Sequence, residues 1–417
     1  MRIAVVGSGI SGLACAHLLG PLHEVVLFEA DTRLGGHANT VDVEDPAAGW
    51  LTIDTGFIVH NDRNYPNLVR LLDSLGVSTI NSEMSFAVTE RASGFTYRAT
   101  NLDTLLADRS NLLSRRLWRM AADIVRFQRT GRRFLANPEP ELSLAQFLER
   151  GHYSRAFIDL HLIPMGAAVW SADPTTFDRF PAASLLHFLH NHGLLSIGNR
   201  PQWKTIVGGS RAYVEALARR FGGQIRLGWP IAAIERRADH VWVSAAGLEP
   251  EPFDHVILAT HSDQSLSLLR DPSPGEKEIL GAIRYQPNRA TLHTDTSLLP
   301  PHRKAWAAWN YETLDGPVPQ SQAVLTYDLT TLQCLAGERR YLVSLNSEDR
   351  IAPESVIASF DYAHPVFDGE AVAAQRRLAE INGPRNTWYC GAWQGYGFHE
   401  DGMTSAVAVC RQLGATW

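Results

Sequence analysis

Apolar residues open the chain as an unbroken run: Ile3, Ala4, Val5 and Val6 follow one another, as in a strand buried on both faces. A glycine turn comes next, then a helical stretch through Leu19 and a second apolar run at Glu24–Glu29. Leu68, Leu71, Leu72 and Leu75 share one helical face, which predicts a helix over Tyr65–Leu75 capped by Gly76. Residues 101–135 read as helical and basic. Leu112, Leu113, Leu117, Met120, Ile124 and Phe127 are interleaved there with eight arginines, among them Arg115, Arg119, Arg126 and Arg129.

Further on, Gly208-Gly209-Ser210 opens a helix carrying Val214, Leu217 and Phe221. Strands are expected near Ile225–Leu227, Ile231–Arg236, Val241–Ser244 and His255–Ala259, with a separate sheet layer over residues 285–347. A strand at Thr387–Cys390, a glycine-rich turn and a helix from about Gly402 to Leu413 complete the pattern. No fixed-period repeat interrupts it.

A length of 417 residues suits two domains, consecutive or intertwined. With 45% hydrophobic and 20% charged residues the composition is that of a globular protein, and a net charge of −6 argues against a general nucleic-acid binder. The four cysteines, Cys15, Cys334, Cys390 and Cys410, form no CxxC pair, so neither a metal site nor a disulfide framework is indicated and a reducing compartment is expected. No secretory leader is evident, and no apolar stretch is long enough to span a bilayer. The expected location is cytoplasmic, with any membrane contact peripheral, on the inner face.

Gly7-Ser8-Gly9-Ile10-Ser11-Gly12 is a GxGxxG sequence between a strand and a helix. Gly7 permits the tight turn, Gly9 lets the backbone approach a pyrophosphate, and Gly12 lets helix and sheet pack closely. The helix start offers unpaired N–H groups to phosphate. Glu29 ends the second strand, where a carboxylate can accept from a ribose diol. These residues alone leave open a chance glycine turn and an NAD-only dehydrogenase.

Arg33-Leu34-Gly35-Gly36, Asp54-Thr55-Gly56, Gly208-Gly209, Pro230-Ile231 and the closing run Cys390–Met403 narrow the choice. Together they resemble the flavin-containing amine oxidoreductase superfamily, which includes monoamine oxidases, protoporphyrinogen oxidase and phytoene desaturases. The resemblance implies an α/β fold: a Rossmann-like FAD-binding domain of the glutathione-reductase type with an inserted α+β substrate domain. The expected FAD-binding segments are 1–80, 201–270 and 381–417. The substrate domain takes a largely helical 81–200 and a sheet part, 271–380.

The resemblance also implies non-covalent FAD. Its dinucleotide half would lie on Gly7, Gly9, Ile10, Ser11 and Gly12, with Glu29 and Ala30 at the ribose and Ile231 and Ala259 nearby. Its flavin half would lie on Arg33, Gly35, Gly36 and His37, then Thr55, Gly56 and Phe57, and finally Gly391, Gly402 and Met403. The N–H groups of Gly402 and Met403, at a helix start, would stabilise negative charge on the reduced ring. His37 stands where the family usually has another basic residue, and Ala392 where it has an acid.

Pro164–Ser171 and the run Gly397–Gly402 are similar to a bacterial subgroup of NAD/FAD-binding proteins. Genes of that subgroup often accompany cyclopropane-fatty-acid synthase-like methyltransferases. The resemblance therefore implies a fatty-acyl or phospholipid substrate and a methyltransferase partner in the same pathway.

Chemistry at a flavin needs a hydride donor carbon and a proton acceptor. The family's amine oxidases usually add a lysine near the ring. This chain has only Lys204, Lys277 and Lys304, none of them in the strand at Ala290–Thr294. Oxidation or desaturation of an acyl chain is thus favoured over amine oxidation. The remaining alternative is a flavin-binding partner without catalysis.

His60 and His399 are the proton-transfer candidates, against a structural role for each. Tyr396 joins them as a catalytic candidate and, with Trp170 and Trp309, as pocket wall or plain core. Residues 101–135 suit either a solvated helical pair or a peripheral contact with anionic lipid. The solvated pair is favoured because the arginines do not fall in one stripe.

Overall fold

The computed structural model describes residues 1–195, 198, 200–314 and 322–417, leaving aside the side chain of Leu102. It is a mixed α/β fold, as expected. β1 (Arg2–Val6), β2 (Glu24–Phe28), β3 (Gln224–Arg226), β4 (His255–Leu258) and β5 (Thr387–Tyr389) form one parallel sheet, in the order β3-β2-β1-β4-β5. Its strands are apolar runs because both faces are covered. Ile3 and Val5 pack toward α1 (Ile10–Leu19), while Ala4 and Val6 pack toward Phe253, Ile279 and Leu280.

A seven-stranded sheet lies apart. It runs Val356–Pro365, Tyr285–His293, Leu342–Leu345, Leu325–Asp328, Trp309–Thr313, Phe86–Glu90 and Phe95–Arg98. The layer expected over 285–347 is therefore larger, recruiting a hairpin from residues 86–98 and the long strand at 356–365. Phe86–Glu90 pairs parallel with Trp309–Thr313, a partnership across more than 200 residues that no local pattern announces.

The helix predicted at Tyr65–Leu75 runs Pro66–Leu75, and Gly76 closes it in the left-handed region at φ +70°. The basic segment is not one helix. A 3₁₀ turn at Arg109–Leu113 precedes α2 (Arg115–Ala136), and Ser114 caps α2 by accepting from Leu117 N at 3.3 Å.

The terminal helix, α3 (His399–Gln412), starts three residues earlier than expected. Asp401 causes the difference: its carboxylate folds back and accepts from Phe398 N at 2.9 Å, capping the new start. Gly402 N–H is consequently used inside the helix, donating to Phe398 O at 3.1 Å. It is not free to stabilise charge on a flavin, so that part of the expectation is corrected.

Candidate functional site

The glycine turn after β1 is held open by its own chain. Gly7 has φ +97°, which a side chain would strain. A Cβ on Gly12 would sit 1.8 Å from Gly7 O, so helix and turn touch directly. A Cβ on Gly9, by contrast, would meet nothing within 4 Å. α1 has no side-chain cap, so the N–H groups of its first turn find no capping partner among the described residues. Bare backbone facing open space at a helix start is the geometry that receives phosphate.

Glu29 braces the same turn. Its Oε2 accepts from Ser8 N at 2.8 Å and Ser8 Oγ at 2.6 Å, and its Oε1 accepts from Asp31 N at 2.9 Å. A carboxylate has about four acceptor positions, so capacity for a diol remains. Ala30 is exposed beside it. Trp229 N donates to Glu29 O at 2.9 Å, which brings Ile231, at the start of an antiparallel three-stranded sheet, to this edge. Ala259 closes the other side, its N donating to Val6 O at 2.8 Å.

The RxGG loop joins this cradle. Gly35 N donates to Ser8 O at 3.0 Å, and a Cβ on Gly36 would stand 3.2 Å from Gly9 Cα. Arg33 turns back on its own loop and donates to Gly36 O at 2.9 Å. Phe57 N donates to His37 O at 2.8 Å, and a Cβ on Gly56 would meet that oxygen at 2.2 Å. Thr55 Oγ1 lies 2.9 Å from Tyr362 Oη.

Asp54 clasps this region to the second glycine pair. It accepts from Ser210 N at 2.8 Å, Ser210 Oγ at 2.7 Å and Thr40 Oγ1 at 2.6 Å. Burial raises its pKa to about 6 against the lowering pull of these donors.

The far end of the chain completes the site. Ser11 Oγ donates to Gly402 O at 3.1 Å, and a Cβ on Gly402 would lie 2.8 Å from both Ile10 Cγ2 and Ser11 Oγ. Met403 is fully buried in the core that includes Ile10 and Leu13. Gly391 N donates to Ser405 Oγ at 2.9 Å. The N-terminal and C-terminal glycine motifs therefore meet.

His37 has its Nε2 buried without a partner and stacks on Tyr362, with ring centres 4.8 Å apart. His364 and His261 are 5.4 and 6.3 Å away. Burial, reinforced by these two imidazoles, holds its pKa well below the usual range. His37 is thus neutral and cannot replace a permanent cation. Sequence reasoning missed Tyr362, His364 and His261. Tyr362 and His364 come from the long strand at 356–365 and His261 follows β4, so only tertiary pairing assembles them.

The three catalytic candidates sit in different surroundings, although His60 is near enough to His399 for its charge to help lower that imidazole's pKa. His399 is enclosed: its ring stacks on Phe57 at 3.7 Å and its Nε2 meets Tyr213 Oη at 3.1 Å. Burial lowers its pKa to about 3. His60 lies on a short strand in register with Lys204, its Nδ1 buried and unpartnered and its pKa lowered by burial to about 4. Tyr396 lines a cavity of about 270 Å³ with Phe180, Phe367 and Arg376, and its carbonyl accepts from Trp170 Nε1 at 3.1 Å. Phe188 packs between Trp170, Tyr396 and Phe398 at 4.6, 5.6 and 5.4 Å. Trp309 sits elsewhere, edge-on to Tyr327 in the seven-stranded sheet. Among the described residues no cluster suits a metal ion.

Residues 10–318 match the model of the flavin containing amine oxidoreductases. A fatty acid isomerase from P. acnes that produces CLA has a similar structure, with a TM-score of 0.72, 16% identity and 99% of each chain covered. Cyclohexylamine oxidase from Brevibacterium oxydans superposes with a TM-score of 0.69, again at 16% identity and 99% of each chain. Putrescine oxidase bound to putrescine gives 0.68, at the same identity and coverage.

Proposed function

The chain belongs to the flavin containing amine oxidoreductase family, and from that premise we propose that it is an FAD-dependent oxidoreductase acting on the acyl chain of a lipid. FAD and oxidoreductase chemistry follow from the family. The substrate is our reading. We assign the FAD-binding domain to residues 1–80, 201–270 and 381–417, with the substrate domain inserted as 81–200 and 271–380.

The observation that carries the cofactor assignment is the open space at Gly9, bounded by an uncapped helix start and joined to the Gly36 loop. Gly7, Gly9 and the first turn of α1 would hold the pyrophosphate, Glu29 the ribose, and the loop at Gly35–His37 with Thr55–Phe57 the flavin end. When bound, FAD accepts a hydride equivalent from a substrate carbon. The chain's own groups orient and enclose. His37, neutral, offers one donor or one acceptor at Nε2. Tyr396, Phe180 and Phe367 would supply the apolar part of a substrate wall that Gln375 and Arg376 complete.

Three observations support an apolar substrate over an amine. The aromatic group around Phe188 adjoins the terminal glycine segment. The lysines are occupied or outside: Lys204 pairs with Asp62 at 2.7 Å, Lys304 pairs with Asp103 at 3.1 Å, and Lys277 is exposed on a surface helix. The fold neighbour from P. acnes is a fatty acid isomerase. In this reading Tyr396, which lines the cavity, would touch substrate, and His399 and His60 would act as positioning residues. A methyltransferase would supply the modified acyl chain.

The test is lipid mass spectrometry of cells with and without the gene, joined to anaerobic incubation of purified protein with acyl lipids. Altered acyl chains and a bleached flavin band are expected. Amine oxidation is the second reading, favoured by the likeness to the two amine oxidases. Sustained peroxide release from primary amines or polyamines, with unaltered lipids, would establish it instead. A bound flavin that neither class reduces would indicate a non-catalytic partner.

A further inference from the structure

We propose that the outer face of α2, with the turn at Leu112-Leu113, seats this protein on an anionic lipid bilayer. Helix geometry revises the expectation: five of the seven arginines of α2 share one outward line, while Arg116 and Arg132 lie about 100° to either side of it. At about 100° per residue, Arg115, Arg119, Arg126, Arg129 and Arg133 fall within roughly 40° of one line along α2. The opposite face carries the buried Leu117, Met120 and Phe127. The stripe therefore faces outward along nearly the whole helix. Arg126 pairs with Asp123, while Arg115, Arg119, Arg129 and Arg133 have no acidic partner among the described residues.

A projecting apolar tip stands at the N-terminal end of this stripe. Leu113 is 90% exposed, Leu112 53% and Trp118 42%. The tip is built rather than frayed. Beneath it the buried Asn111 donates to Thr96 O at 2.9 Å, and Trp118 Nε1 donates to Leu112 O at 2.8 Å. Two leucines are thus held into solvent by a fixed scaffold, beside a row of unpaired guanidinium groups.

Apolar side chains that enter the acyl boundary and arginines that meet phosphate are the two halves of an interfacial anchor. A solvated helix face accounts for the arginines but leaves the held-out leucines unexplained. A nucleic-acid duplex would leave them equally unused.

The experiment is co-sedimentation of the flavin-loaded protein with vesicles of phosphatidylcholine, alone or mixed with phosphatidylglycerol. Binding to the mixed vesicles at low salt, released by high salt, is expected. Replacing Arg115, Arg119, Arg129 and Arg133 by Ser should reduce it at least about tenfold, as should Leu112→Ser with Leu113→Ser. Circular dichroism and flavin absorbance should be unchanged in both, since every altered side chain is exposed. Equal binding to both vesicle types, wild-type binding by either variant, or capture by a DNA duplex in place of vesicles would overturn the proposal. None of these readouts depends on the identity of the substrate.

Discussion

The hydroxyl of Ser11 donates to the carbonyl oxygen of Gly402 at 3.1 Å, joining positions 391 residues apart. Around this bond the two glycine motifs pack without a spare atom's width. Gly402→Ala should therefore cost more than Ser11→Ala. The new methyl would lie 2.8 Å from Ile10 Cγ2 and Ser11 Oγ, an overpacking worth about 1–3 kcal/mol. Loss of the Ser11 hydroxyl removes a hydrogen bond worth about 1 kcal/mol. Denaturant midpoints and retained flavin would check the order, and equal losses would show that the junction is loose.

Gly9 and Gly12 should separate binding from folding. Gly12→Ala forces a Cβ to within 1.8 Å of Gly7 O, so stability and flavin content should fall together. Gly9→Ala meets no protein atom within 4 Å. It should leave the melting temperature of the flavin-free protein unchanged and weaken FAD binding at least about tenfold, by blocking backbone approach. An alanine at Gly9 with normal FAD affinity would place the phosphates elsewhere.

Acid should weaken the fold partly through His399. Folded, it takes up a proton only near pH 3; unfolded, near 6.5. Between those values the unfolded chain binds more protons, so stability falls as pH drops. His60, lowered to about 4, acts in the same direction. Asp401, raised to about 6, acts in the opposite direction: its contribution is fully present below pH 3.8 and is lost as pH rises through 6. Comparing wild type with His399→Gln isolates the imidazole. Between pH 7 and pH 5 the wild type should lose about 2 kcal/mol more than the variant. Parallel pH curves would mean that His399 is already solvated.

Behind the parallel sheet, Arg236 is fully buried and reaches both oxygens of Glu276, and Tyr389 Oη donates to the same carboxylate at 2.6 Å. Arg236→Met alone should cost about 3–5 kcal/mol, because it strands a buried charge. Adding Glu276→Met should recover much of that loss. Urea unfolding of the single and double variants measures the difference.

The first βαβ unit was legible in the sequence because its logic is local: an apolar run, three glycines and an acid at the next strand end. The strand bounds at Ile231–Arg236 match for the same reason, as does the cap at Gly76. The start of α3 was misplaced because Gly402 looked like a helix beginning, whereas Asp401 folds back to cap Phe398. The group around His37 was invisible for a different reason. Tyr362 and His364 reach it only because the strand at 356–365 pairs with Tyr285–His293, and such registers are set by the whole sheet. The arginine stripe was hidden by Arg116 and Arg132, which lie about 100° to either side of the line that the other five arginines of α2 share.

The Asp54 clasp and the Ser11–Gly402 bond also impose an order on biosynthesis. During translation β1, β2 and α1 emerge first, but β5 and α3 are made last. A nascent chain can present its phosphate cradle early, yet it cannot close around a prosthetic group until the ribosome has passed Gly402. A chain truncated before Thr387 would therefore keep an intact fingerprint but lack the segment that packs against it.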